Sequence, residues 1–132
     1  MSLPLLAVGV GCRSGCPGET IAALVRRALD SLGDAGAAAL FTSVDKQGEA
    51  GIAEAALLLA LPLVYLPRVA LEAAAPRAQT RSERVVSLFG VPSVAETAAL
   101  AGAGAGSALV VPRMAAEGAT CAVARPAGGS PG

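Results

Sequence analysis

Two short segments of the sequence hold most of the residues that could bind a charged small molecule. The first runs from Gly11 to Gly15, between an apolar stretch and a helix-forming stretch that begins near Pro17. The free N–H groups and the dipole at the start of a helix favour an anion there, and Arg13 adds a guanidinium that can bind a carboxylate through two hydrogen bonds. The segment therefore predicts a carboxylate site, with the alternative that its glycines only permit tight turns and close packing.

The second segment, from Thr42 to Glu49, is rich in polar and charged side chains. Its charged residues are Asp45, Lys46 and Glu49. In an open α/β sheet, ligands bind beyond the carboxyl ends of the strands, and both segments are expected to follow strands. The charged group either surrounds the edge of a ligand or forms a solvated loop with Glu49 at a helix start. The sequence alone favours the solvated loop.

The glycines of the first segment do not fit a nucleotide-binding motif. Gly9 and Gly11 match the start of the dinucleotide fingerprint, but Ser14 occupies the place of its third glycine. The sequence also lacks the Gly-Lys-Ser/Thr of a phosphate-binding loop. A nucleotide site is therefore not favoured.

The chain has three cysteines and no histidine. Cys12 and Cys16 alone fall short of the four ligands of a structural zinc site, and a nucleophilic cysteine would need a base that histidine usually supplies. A nearby helix N-terminus could still lower the pKa of either thiol. We expect three free thiols, no bound metal (cobalt included), no cofactor, and no assignable catalytic residue.

Apolar runs alternate with helical patterns along the chain. Apolar residues from Ile21 to Leu32 recur at helical spacing, with Arg26, Arg27 and Asp30 on the opposite face. The alternation predicts a three-layer α/β/α sandwich with a mostly parallel, mixed sheet of about five strands, the last two antiparallel. The predicted strands are residues 5–11, 37–41, 63–66, 108–111 and 120–124, and helices are expected after Pro17, at 50–60 and at 69–75.

Two Ser/Thr-x-x-Glu pairs, Thr80 with Glu83 and Ser93 with Glu96, are typical of capping boxes and predict two further helix starts.

Length and charge limit the possible partners. A chain of 132 residues fits one domain, expected at 1–125 with a flexible tail at 126–132. Ten basic and ten acidic residues cancel, which argues against nucleic acid or an anionic membrane as a partner. The longest apolar run, 55–66, is interrupted by Pro62 and is too short to cross a bilayer. The start of the chain does not resemble a secretory signal, so a cytoplasmic location is expected.

Several segments together resemble the family comprising CobE and the C-terminal domain of CbiG, proteins of vitamin B12 synthesis. They occur in the family's order and cover nearly the whole chain up to about Arg125. The matching segments are Gly9-Val10-Gly11-Cys12-Arg13, Thr42 with Asp45-Lys46, Glu49-x-Gly51-Ile52, Phe89-Gly90-Val91-Pro92-Ser93-Val94-Ala95-Glu96, Val110-Val111-Pro112-Arg113, and Thr120-x-Ala122-Val123-Ala124.

The resemblance implies a corrin (tetrapyrrole) intermediate as the ligand, a broad ring carrying many acetate and propionate groups. It identifies this chain with the stand-alone form, whose implied role is to bind or carry such an intermediate. In many members a basic residue follows the position of Arg113, where this chain has Met114 and Ala115. The expected ligand-binding residues are Gly11, Cys12, Arg13, Gly15, Thr42, Asp45, Lys46, Glu49 and Arg113.

Two other functions remain open. The two-domain relative is associated with opening a lactone on a cobalt-containing corrin precursor, as a cobalt-precorrin-5A hydrolase. In that case Asp45 or Glu49 would act as a general base. A non-catalytic scaffold that organises other cobalamin-biosynthesis enzymes is the third possibility.

Overall fold

The computed structural model describes residues 5–33, 37–78 and 94–127, and within them the chain forms one five-stranded sheet. The strands are β1 (Leu6–Cys12), β2 (Ala38–Ser43), β3 (Leu63–Leu66), β4 (Ala108–Ala116) and β5 (Ala119–Arg125). Their order across the sheet is β3-β2-β1-β5-β4. β1, β2 and β3 are parallel, while β5 pairs antiparallel with both β1 and β4. The predicted mixed sheet is confirmed.

Helices cover both faces of this sheet. They are α1 (Gly18–Asp30), α2 (Ala50–Leu59), α3 (Arg68–Ala74) and α4 (Val94–Ala103). Side chains alternate across a strand, so Val8 and Val10 of β1 pack with α1 and α2, while Ala7 packs with α3 and α4. The predicted three-layer α/β/α sandwich is therefore confirmed.

The predicted amphipathic pattern of α1 matches its burial. Ile21, Leu24 and Val25 are buried in the core, whereas Arg26 and Arg27 are exposed. Pro17 immediately precedes the helix, a position where its missing N–H leaves no intrahelical hydrogen bond unmade.

Three strands are longer than predicted, β5 by one residue at each end. β2 continues through Thr42 and Ser43, because these residues pair with β3 and are buried there. β4 continues past Pro112, which an edge strand with register shifts can accommodate. The bounds predicted for β3 are confirmed.

Some sequence predictions fall outside the described residues. These are the Thr80–Glu83 capping box, Ser93, and the tail beyond residue 127. Among the helices of the described ranges, none is long and apolar enough to cross a bilayer.

Candidate functional site

One edge of the sheet collects the connections that follow β1, β2 and β3, because the carboxyl ends of parallel strands meet at one edge. The turn between β4 and β5 lies at the same edge, since β5 runs in the opposite direction. We call this edge the rim. It comprises Arg13–Pro17, Val44–Glu49, Pro67 with Arg68, and Glu117 with Gly118.

The two charged segments that the sequence singled out contact each other at the rim. The ammonium Nζ of Lys46 donates a hydrogen bond to the carbonyl oxygen of Cys12 at 2.8 Å. The backbone N–H of Gly15 donates to Glu49 Oε2 at 3.2 Å. The structure therefore brings Arg13, Gly15, Asp45, Lys46 and Glu49 into one region.

The start of α1 is occupied by carboxylates of the protein itself. Besides the contact of Glu49 with Gly15, Glu54 Oε1 accepts a hydrogen bond from the N–H of Gly18 at 2.9 Å. A Cβ at Gly51 would collide with the carbonyl oxygen of Cys16, so α2 packs closely against this loop. Two of the N–H groups that the sequence assigned to a ligand anion, those of Gly15 and Gly18, therefore already have internal acceptors.

A cavity of about 420 Å³ lies beside these contacts. It is lined by Ser14–Pro17, Gly48–Gly51 and Glu54. Its lining includes two glutamates, and none of the described residues that line it is basic. The cavity therefore does not match a ligand rich in carboxylates, and the cationic part of the rim lies beside it.

Arg13 is a cation of the rim for which the described residues provide no carboxylate partner. Its N–H donates to the carbonyl of Gly118 at 2.9 Å, and its side chain lies against the same glycine, where a Cβ would collide with Arg13 Nε. The residue is exposed, and within the described part of the chain it forms no ion pair. Its side chain is therefore positioned by the β4–β5 turn and exposed among the described residues.

Asp45 is paired with Arg68, a residue that the sequence analysis did not single out. Arg68 Nη2 lies 2.7 Å from Asp45 Oδ2, and the N–H of Asp45 donates to Ser43 Oγ at 3.0 Å. The hydrogen bond from Arg68 holds the pKa of Asp45 below its usual value, which makes this carboxylate a poor general base near neutral pH. Arg68 directly follows the third parallel strand, and that position could have identified it.

Thr42 and Gly11 lie in the interior, and their contacts are with the protein itself. Thr42 is fully buried, and its hydroxyl donates to the carbonyl of Val10 at 2.8 Å. Gly11 is buried, with space for a Cβ limited by Thr120 Oγ1 and by Val94 of α4. Both residues therefore connect or pack elements beneath the rim and present no side chain at its surface.

The start of α1 does not lower the pKa of the nearby thiols, a possibility that the sequence left open for Cys12 and Cys16. Cys12, Cys16 and Cys121 are all buried and unpaired. Burial raises the pKa of Cys12 to about 11 and that of Cys121 to about 12. Burial also raises the pKa of Cys16. The pKa values are raised because removal from water outweighs the nearby positive charges.

Arg113 lies on the edge strand β4, two strands away from β1. Its N–H donates to Oε2 of the fully buried Glu96 at 2.9 Å, and the residue itself is exposed. None of the hydrogen bonds described above between the two rim segments involves Arg113. Glu96 thus joins α4 to β4. In residues 5–33, 37–78 and 94–127, no group of three or more His, Cys, Asp or Glu side chains is placed to hold a metal ion.

Comparisons with known proteins agree with this fold. The family described as "Cobalamin synthesis G C-terminus" matches residues 6–124. Protein CobE of Sinorhizobium sp. is 40% identical over 124 residues, which are 92% of this chain and 80% of that protein.

Two solved structures are also similar. The crystal structure of CobE, a protein from the cobalamin (vitamin B12) biosynthetic pathway, superposes with a TM-score of 0.84 at 36% identity, covering 95% of this chain and 94% of that one. The cobalamin biosynthesis protein chiG from Agrobacterium tumefaciens gives a TM-score of 0.72 at 37% identity, covering 92% and 98%. This chain therefore belongs to the CobE and CbiG C-terminal family of cobalamin biosynthesis proteins.

Proposed function

We propose that this chain binds a polycarboxylated corrin intermediate at the rim and acts as a carrier or accessory protein of cobalamin biosynthesis. The observation that carries the proposal is Arg13, an exposed guanidinium that forms no ion pair with any described residue and is held at the rim by the β4–β5 turn. A guanidinium binds carboxylates through two parallel hydrogen bonds, and such charge-assisted pairs are stronger than neutral ones.

Cationic side chains, more than the start of α1, provide the binding in this proposal. The N–H groups of Gly15 and Gly18 already donate to Glu49 and Glu54, so a ligand carboxylate gains little there. The carboxylates of the corrin instead meet Arg13, with Lys46 beside it on the neighbouring connection. Arg113 is exposed on the edge strand β4 and contacts a ligand that extends from the rim towards this strand.

The alternative of lactone opening gains no support from the charged group at the rim. A general base works best with a pKa near the working pH, whereas the pKa of Asp45 is held low by Arg68. The carboxylate of Glu49 accepts a hydrogen bond from the backbone N–H of Gly15, in the loop before α1. A carrier role needs neither group to take up a proton.

Titration of the purified protein with a metal-free corrinoid acid, followed by visible absorption, tests the proposal. We expect the wild-type protein to bind and Arg13→Ala to bind about tenfold more weakly or worse, because a hydrogen bond between charged groups is lost. Arg26→Ala is the matched control, since Arg26 is also an exposed arginine and lies on α1, away from the rim. Absence of binding by the wild type, or equal affinity of both variants, would contradict the proposal.

A second assay separates a carrier from an enzyme. Folded protein is incubated with the lactone-bearing corrin precursor, and release of acetaldehyde is measured. A carrier leaves the precursor intact, whereas acetaldehyde formed in proportion to protein would establish hydrolysis. Co-purification with other pathway enzymes without any affinity for the corrinoid would instead indicate a scaffold.

A further inference from the structure

We propose that Arg68 is a second carboxylate-binding residue of the rim. Asp45 is its partner in the free protein, and a ligand carboxylate replaces Asp45 on binding. The site would then select ligands that carry at least two carboxylates on a wide frame and would reject small acids. This inference rests on the proposed function and specifies the ligand class of the same site.

The sheet sets the separation of the two arginines. Arg13 follows β1 and Arg68 follows Pro67 at the end of β3, and β2 lies between these strands. Neighbouring strands are about 4.8 Å apart, so the two residues leave the sheet about 10 Å apart. The side chain of Arg13 lies against Gly118 on the β5 side, whereas that of Arg68 lies on Asp45 on the β2 side. Acid groups distributed around a macrocycle therefore suit the two arginines better than a single carboxylate does.

The connection after β2 fills the space between the two arginines. Lys46 reaches the carbonyl of Cys12, next to Arg13, and its neighbour Asp45 reaches Arg68. The rim thus presents Arg13, Lys46 and Arg68 in the order of their strands. The inference rests on this row of three cations along the rim.

The pair between Asp45 and Arg68 is suited to exchange. Its side chains are 36% and 53% exposed, and exposed ion pairs shift an equilibrium by at most about fivefold. A ligand carboxylate can therefore replace Asp45 at little cost. In the meantime Ser43 fixes the backbone of Asp45, and the pair keeps the guanidinium of Arg68 at the rim.

The test compares Arg68→Gln and Asp45→Asn with two remote variants of equal charge change, Arg26→Gln and Asp30→Asn. Each is titrated with the metal-free corrinoid acid. We expect Arg68→Gln to weaken binding about tenfold. Asp45→Asn should strengthen it by up to about fivefold, because the internal competitor is gone. The remote variants should match the wild type.

An exchanged pair, Asp45→Arg with Arg68→Asp, separates binding from structure. It preserves an ion pair between the same two positions but moves the cation, so its thermal stability should match the wild type. Its affinity for the corrinoid acid should fall below that of the wild type because position 68 no longer carries a cation, and affinity at the wild-type level would overturn the inference. An amide derivative of the same corrinoid, without free carboxylates, should bind the wild type and Arg68→Gln equally weakly.

The outcomes distinguish this inference from the proposed function. If the wild type binds and Arg13→Ala weakens binding, while Arg68→Gln and Asp45→Asn match their controls, the proposed function stands and the inference is overturned. If the wild type does not bind the corrinoid acid at all, the proposed function fails and the inference fails with it.

Discussion

At the scale of single residues, Gly9 shows how an absent side chain positions an element near the rim. Gly9 lies in β1 on the side covered by α4. A Cβ built there would collide with the carbonyl oxygen of Ala95 and come within 2.5 Å of the N atom of Ala99. The backbone of α4 therefore lies directly on β1. The interpretation that glycines here permit close packing holds for this residue.

We expect Gly9→Ala to destabilise the protein by about 1–3 kcal/mol or more, because α4 must move away from the sheet. Both clashing atoms belong to the backbone and cannot turn aside as a flexible side chain could. Urea unfolding followed by circular dichroism measures the change in the free energy of unfolding. Gly48→Ala is the control, since a Cβ there meets nothing within 4 Å. A Gly9→Ala variant as stable as Gly48→Ala would show that the close approach is wrong.

At the scale of elements, the sequence was sufficient to predict a helix or strand that depends on the pattern of its own residues alone. The apolar face of α1 and the strand between Pro62 and Pro67 depend on local pattern, and both were predicted. The end of β2 was not, because Thr42 and Ser43 are polar and resemble a loop. Only the pairing with β3 and the acceptor offered by Val10 explain their burial.

The candidate site divides in the same way. The connections after β1 and β2 were expected to lie close together because the two strands are parallel, and the structure shows that these connections contact each other. Glu54 accepts from the first residue of α1, Glu49 accepts from Gly15 in the preceding loop, and Arg68 pairs with Asp45. These contacts depend on how neighbouring elements pack and turn. Such contacts join residues far apart in sequence, so residue types and spacing could not reveal them.

The contact between Glu54 and the start of α1 yields a prediction at this scale. Glu54→Ala should lower the free energy of unfolding by about 1 kcal/mol, because the N–H of Gly18 loses its acceptor and α1 loses a favourable charge. Glu54→Gln keeps an acceptor oxygen and should lose less. Urea unfolding of both variants separates the two effects. Equal losses would mean that charge, and not the hydrogen bond, carries the contribution.

At the scale of the whole molecule, the arrangement of charge matters more than its sum. The chain has no net charge at neutral pH, so it offers no long-range attraction to an acidic ligand. The sheet order nevertheless places Arg13, Lys46 and Arg68 at the ends of three adjacent parallel strands. The attraction is therefore local and short in range.

This local origin predicts how affinity for the corrinoid acid responds to salt. The screening length is about 10 Å at 0.1 M salt and shorter above it, and the rim cations Arg13 and Arg68 are exposed. We expect the dissociation constant to rise roughly fivefold or more between about 0.05 M and 0.5 M NaCl. Isothermal titration at several salt concentrations measures it. Arg13→Ala should flatten the dependence, since one charge pair is removed, and Arg26→Ala should not. If the affinity of the wild type did not change with salt concentration, the protein would bind the apolar ring of the corrinoid and not its carboxylates.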